Sequence, residues 1–494
     1  MTISNIINNR CFLSVFISII IIFKIPYSTI IFACILSSAF FDIYVKDNLP
    51  NILGVKNIYK VITVFLSTIL CLHILLKLIN FFVKFDCPRH WPISVFSLGI
   101  RTADVWLITA VVLILFAIFN AYPFQKIKFP HLILIAIIFI LGTNCIQGGK
   151  DGFLKPISGK RGDSKGIEYY YDAINIKDTK TLLNTFNEIQ TSLLIHAKVH
   201  PPGAVLIIYW LNKLFKGQII FISISITIIA TILSLFFFYK FLILKFDKSI
   251  AKYSVFLFSI IPSIQIYYCA TIDALVLGCL LGVLYFFFHS NKTIGLVGLT
   301  IFTFFASFIT FGFTFILPVI FCFELFNRKS ILRPTILIFF LGLIYFILNE
   351  VFGFNYLKAF ITATIIESPD GFRLISDPLN YFLTQIEGIA EILLFFGPFL
   401  CFLMFKGLSI LKRNYFQLWT LFCIAIGVLF LMFFSGALRT GETARVCLFI
   451  YPYLFLPVVA WLANKKSENN EKSALLSAVF IQTIFMQLYG VYLW

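Results

Sequence analysis

Arg161-Gly162-Asp163-Ser164-Lys165-Gly166-Ile167-Glu168-Tyr169-Tyr170-Tyr171-Asp172 lies near the start of the one long polar stretch in this 494-residue chain, and His200-Pro201-Pro202-Gly203 closes it. Everything around that stretch is apolar. Hydrophobic residues make up 60% of the positions and charged ones 12%, against roughly a quarter charged in soluble domains. A chain so poor in charge that still gathers carboxylates and histidines at the edge of its apolar mass keeps them for a task.

Apolar runs long enough to cross about 30 Å of hydrocarbon fall near 8–23, 28–43, 59–83, 103–120 and 129–146 before the polar stretch. More follow near 218–240, 251–269, 274–290, 293–309, 310–327, 334–350, 381–405, 415–435, 446–463 and 474–493. The adjacent runs around Lys24 and around Thr310 can each be read as one broken helix, so the expected fold is all-α, a polytopic helical membrane protein with about 13–15 transmembrane helices. Three regions are expected: a five-span N-terminal extension over 1–146, an external loop with juxtamembrane helices over 147–217, and a C-terminal transmembrane region over 218–494. The first run follows Arg10 but lacks a small-residue cleavage site, and reads as a retained span.

The net charge of +17 would suit a nucleic-acid binder if the cations formed one patch, but they sit in short clusters between apolar runs, which is the pattern of topology determinants. No nucleic-acid partner is expected. With the N-terminus inside, the connections carrying Lys126 and Lys128, Lys240 to Lys252, Arg328 to Arg333, Lys406 to Arg413, and Lys465 and Lys466 are cytoplasmic. The stretch 147–200, Asp273, the 351–380 loop and the Arg439–Arg445 loop are then outside. This parity requires that Ala204 to Phe215, a dozen residues ending beside Lys213 and Lys216, does not cross. The eleven cysteines contain no CxxC pair and mostly sit inside apolar runs, as small buried hydrophobes do.

Within the loop, Ser164 can cap a short helix running through Glu168 to Ile174, and Asp178 a longer one. In the longer one Leu182, Leu183, Phe186, Ile189, Leu193 and Leu194 recur at helical spacing and predict one apolar stripe lying on the membrane surface. Pro201 and Pro202 start the next helix, where a missing amide hydrogen costs nothing, and hold His200 just outside it.

An external loop with an Asp before a Tyr-rich helix, followed about three dozen residues later by His-Pro-Pro, resembles the membrane glycosyltransferases of the C superfamily (GT-C), in particular the protein mannosyltransferase and lipid A aminoarabinose transferase group. Two later stretches are similar as well. Pro262 through Tyr267, Tyr268, Thr271 and Asp273 resembles the family's span ending in an outward Asp, and Gly441-Glu442-Thr443-Ala444-Arg445 resembles its Gly-Glu-x-x-Arg element. The chain departs from the family in having five spans before the loop where one is usual, and in carrying Asp163-Ser164 where the family has Asp-Glu.

The resemblance implies transfer of a sugar from a polyprenyl-phosphate carrier to a lipid, glycan or protein acceptor at the outer face, with inversion, in a bacterial inner membrane. It implies Asp163 as the base, with Glu168 and Asp172 as competing carboxylates, and His200, Asp273, Glu442, Arg445, Glu168 and Tyr170 as binding residues. A divalent cation, magnesium or manganese, is an open expectation at the departing phosphate; no organic cofactor is expected and no metal ligands are assigned. Each residue also has a structural reading: Asp163 as a helix cap or partner of Arg161, Glu442 and Arg445 as an ion pair three apart, His200 as a hydrogen-bond partner of a loop carbonyl, the tyrosines as an interfacial belt. His196 and His200, four apart, could alternatively bind a metal if helical, although the prolines break the helix before His200. A lipid-linked oligosaccharide flippase or an envelope polysaccharide polymerase or ligase shares the topology. A flippase favours ionisable groups within spans, where this chain has chiefly Glu324, Glu387 and Glu391.

Overall fold

The computed structural model describes residues 48–55, 58–83, 102–158, 168–369, 371, 373–435, 442–465, 467–490 and 492. Among these the regular structure is helical throughout, with no strand. Seven helices among the described residues are long and apolar enough to cross a membrane: Ala103–Ala121, Ile219–Leu242, Lys292–Ile309, Phe311–Arg328, Leu332–Phe352, Pro378–Phe396 and Phe416–Phe434. At about 1.5 Å rise per residue they reach roughly 27 to 36 Å, which matches a hydrocarbon core. Along Leu332–Phe352 only 11% of the apolar window is buried, and Phe339 and Phe346 stand open. Such a face suits lipid and would be an aggregation liability in water. The expected runs near 8–23 and 28–43 lie outside the described residues.

Two runs expected as single spans are broken, and in each a proline or glycine is the cause. The run 251–269 divides into Lys248–Ser259 and Pro262–Tyr267, because Pro262 has no amide hydrogen and is suited only to a first turn. Buried side chains satisfy the carbonyls freed at the break. Gln265 Nε2 donates to Ser259 O at 2.7 Å and Thr483 Oγ1 to Ile260 O at 2.8 Å, while Thr143 Oγ1 holds Gln265 Oε1 at 2.9 Å. The run 381–405 divides at Gly397, whose φ of 99° suits glycine, with Pro398 opening Pro398–Asn414. At Thr310 the chain becomes extended, and the Thr310 hydroxyl caps a 3-10 turn by accepting from Gly312 N at 3.1 Å.

The N-terminal helices pack onto the end of the chain. Phe116 stacks on Phe480 at 4.0 Å, and Asn120 Nδ2 donates to Ser477 Oγ at 2.8 Å. In the loop, Asp178 caps Thr179–Ile189 by accepting from Thr181 N at 2.8 Å. The stripe of that helix does not lie open for a membrane surface. Leu182, Leu183 and Phe186 are buried, Phe186 rests edge-on against Phe354, and Asn187 exchanges hydrogen bonds with Asn355 at 2.8 and 2.9 Å. Gly203–Leu214 is 12 residues long, about 18 Å, too short to span hydrocarbon alone. The described cysteines are free.

Candidate functional site

Three parts of the chain, far apart in sequence, build one cavity of about 470 Å³. The loop contributes Glu168, Tyr169, His196 and His200, the start of Ile272–Phe287 contributes Asp273, and the segment before Tyr451–Asn464 contributes Glu442 and Arg445. Thr310, Phe360 and Glu367 close another side.

Local chemistry places each group. Asp172 Oδ2 accepts from Leu194 N at 3.0 Å, which ties the helix Tyr170–Ile174 to the turn before Ile195–Lys198 and so sets His196. The Tyr169 ring lies 6.1 Å from that of His196 and 5.8 Å from that of His200. At Gly203 a Cβ would overlap the carbonyl oxygen of Phe308, so only glycine lets the helix after His200 approach Lys292–Ile309 this closely. Asp273 follows a second break, where Ala270 takes a left-handed φ of 64°. Thr227 Oγ1 accepts from Ala270 N at 3.0 Å, and Thr271 accepts from Ala274 N at 3.4 Å to cap the new helix.

Arg445 is the hub. Its guanidinium lies 2.7 Å from Glu442 Oε2 and 3.5 Å from Asp273 Oδ2, and the residue is buried. Burial alone would lower its pKa, but Glu442, Asp273 and Glu168 outweigh that and hold it above the ordinary arginine value. Glu168 Oε1 approaches His196 Nε2 at 3.5 Å and makes no hydrogen bond among the described residues. Burial raises Glu168 to about 7, partly opposed by Arg445. Burial and the nearby Arg445 charge depress His196 to about 3 and His200 to about 4. Both imidazoles are therefore neutral at pH 7 and each offers one N–H and one acceptor nitrogen. His200 Nδ1 is buried without a hydrogen-bond partner among the described residues.

Of the residues singled out from sequence, Glu168, His200, Asp273, Glu442 and Arg445 converge on this cavity. Tyr170 does not line it. The helix Tyr170–Ile174 packs against Gly203–Leu214 and buries Tyr170 with its ring edge-on to Tyr171, so Tyr169 is the tyrosine in the wall. Asp163, Ser164 and Gly441 lie outside the described residues. Glu367 has no signal in the sequence beyond the placement of 351–380 outside, and Tyr169 is there only one of three adjacent tyrosines. Among the described residues no group of three His, Cys, Asp or Glu side chains is arranged to hold a metal ion. The chain matches no protein-family model and no curated protein.

Proposed function

We propose that the chain is an inverting membrane glycosyltransferase of the GT-C kind, moving a sugar from a polyprenyl-phosphate donor to a lipid, glycan or protein acceptor at the outer face of a bacterial inner membrane. In this reading it has about 13–15 spans, counting the runs outside the described residues. The observation that carries it is the convergence of Arg445, two neutral histidines and several carboxylates on one cavity beside helices suited to a bilayer. A lipid-borne donor explains why a polar reaction site sits on so apolar a body.

In the transfer an acceptor oxygen forms the new bond to the anomeric carbon while the bond from that carbon to the phosphate oxygen breaks. The acceptor proton goes to a carboxylate, and polyprenyl phosphate leaves with a second negative charge. Arg445 is the buried cation for that charge, and a guanidinium fork fits phosphate oxygens in pairs. His200, neutral and with a nitrogen that has no hydrogen-bond partner among the described residues, adds a hydrogen bond to the same group. A magnesium or manganese ion finds no three-donor set among the described residues, so the phosphate role is given to Arg445 and His200. Asp163 is the proposed base. Glu168, raised toward neutrality by burial, is the competing carboxylate that lines the described cavity.

Purified protein in proteoliposomes, given a panel of radiolabelled polyprenyl-phosphate sugars, should release polyprenyl phosphate and label an acceptor. Asp163→Asn keeps shape but cannot take a proton, and should lower transfer at least about a hundredfold. Near wild-type transfer by Asp163→Asn together with an inactive Glu168→Gln or Asp172→Asn would move the base to that residue. Full activity in all three would defeat the transferase reading.

A further inference from the structure

The geometry points to Glu391, a carboxylate within the apolar helix Pro378–Phe396, as the positioning residue that holds Arg445 in the cavity. Glu391 is 5% exposed and does not line the cavity. Its Oε2 accepts from Thr443 N at 3.0 Å and its Oε1 from Ala444 N at 3.2 Å. Those are the first two amides of the four-residue helix Thr443–Val446 that bears Arg445, and first-turn amides have no partner within their own helix.

Ordinarily the residue before such a turn caps it with its own side chain. Here that residue is Glu442, and it makes no cap bond, because its carboxylate is committed to Arg445 at 2.7 Å. Glu391 supplies the missing cap from another helix, bidentate, and so ties the turn to a rigid apolar element. The fit between the two is close: a Cβ on Gly388, one helical turn before Glu391, would lie 3.2 Å from the Thr443 side chain. Glu442, next to the anchored amides, takes the left-handed conformation, φ 54°, which non-glycine residues rarely adopt. A carboxylate placed in an apolar helix is costly and persists where it has a defined partner; the partner here is the backbone of the Arg445 turn.

This rests on the phosphate role proposed for Arg445, so the test has one arm that needs no ligand. Hydrogen exchange of the 442–447 segment in nanodiscs reads the docking directly. Glu391→Gln keeps volume but turns an N–H₂ toward one of the two amides, and exchange at Thr443 and Ala444 should quicken at least tenfold. Glu391→Asp, one methylene short, gives the same readout if the glutamine variant does not fold. The second arm is a double-mutant cycle with undecaprenyl phosphate as probe. Glu391→Gln should weaken binding about tenfold in the wild-type background and less than twofold once Arg445→Ala is present, the non-additivity expected of a residue acting through another. Unchanged exchange, or an equal loss of binding in both backgrounds, overturns the inference. If exchange quickens but Arg445→Ala binds the probe as well as wild type, the phosphate role of Arg445 fails and the anchoring by Glu391 stands.

Discussion

Glu168→Gln should stabilise the protein at alkaline pH and leave it unchanged in acid, even if it removes activity. Glu168 is raised from its ordinary value of 4.5 to about 7, first by burial and then by Glu442 and Asp273, with Arg445 opposing. A group raised in the folded state contributes stability that is present below its unfolded value and is lost as pH rises through the folded one. At about 1.4 kcal/mol per pH unit, the interval from 4.5 to about 7 corresponds to up to about 3 kcal/mol lost by pH 8. Glutamine has no charge to bury, so the variant recovers that amount at pH 8 and close to nothing at pH 4.5.

His196 and His200 act in the opposite sense. Held at about 3 and about 4, they contribute stability above pH 6.5 that is lost progressively as pH falls, and the wild type is therefore destabilised toward both ends of the range. The histidine contribution is common to both proteins, so the difference between variant and wild type isolates Glu168. The assay is thermal unfolding in nanodiscs at pH 8 and pH 4.5, where the variant should melt a few degrees higher at pH 8 only. Loss of stability at pH 8 would mean that the attraction of Arg445 outweighs the burial of the Glu168 charge, and the reasoning would fail.

Arg445→Lys keeps the charge but not the fork, and should reduce donor turnover about tenfold or more; unchanged turnover in Arg445→Ala would leave the residue as an ion-pair member only. A single cysteine at exposed Lys180 should react with an impermeant maleimide on intact cells, and one at exposed Lys248 only after permeabilisation; the reverse would invert the orientation drawn from the lysine pattern. Gly203→Ala should lower stability by about 1–3 kcal/mol, because its methyl would press on the Phe308 carbonyl, and transfer should fall with it as His200 is displaced; a variant as stable and active as wild type would show that the close approach at Gly203 does not set His200.

The parts of the fold that could be read from the sequence are those decided within a few residues. Asp178 caps the helix its spacing announced, because cap and amide are three residues apart. The apolar runs within the described residues became helices for the same reason, since hydropathy over about 20 residues is a local quantity. The breaks at Pro262 and Gly397 show the limit of that measure: a run can be continuously apolar while its backbone is interrupted, and the interruption is tolerable only because distant groups such as Thr483 meet the freed carbonyls. The tyrosine triplet fails for a related reason. Tyr169 and Tyr170 are adjacent and chemically alike, and only the docking of Tyr170–Ile174 onto Gly203–Leu214 decides which faces the cavity.

Glu391 marks the boundary more sharply. In the sequence it is one of three acids that interrupt apolar runs, with nothing nearby to explain it. Its partners are 52 and 53 residues away and are backbone amides, which leave no trace in residue type, so no pattern of side chains could have connected the two. The same holds for the cavity as a whole: Glu168, Asp273 and Arg445 each look ordinary in their own stretch. Their proton affinities shift only because folding brings them together: burial raises Glu168 against the opposing charge of Arg445, and Glu442, Asp273 and Glu168 hold Arg445 up against burial. Long-range placement is what turns surface-type residues into a site, and a substitution at Glu391, outside the cavity, should therefore affect binding there more than substitutions of many residues that line it.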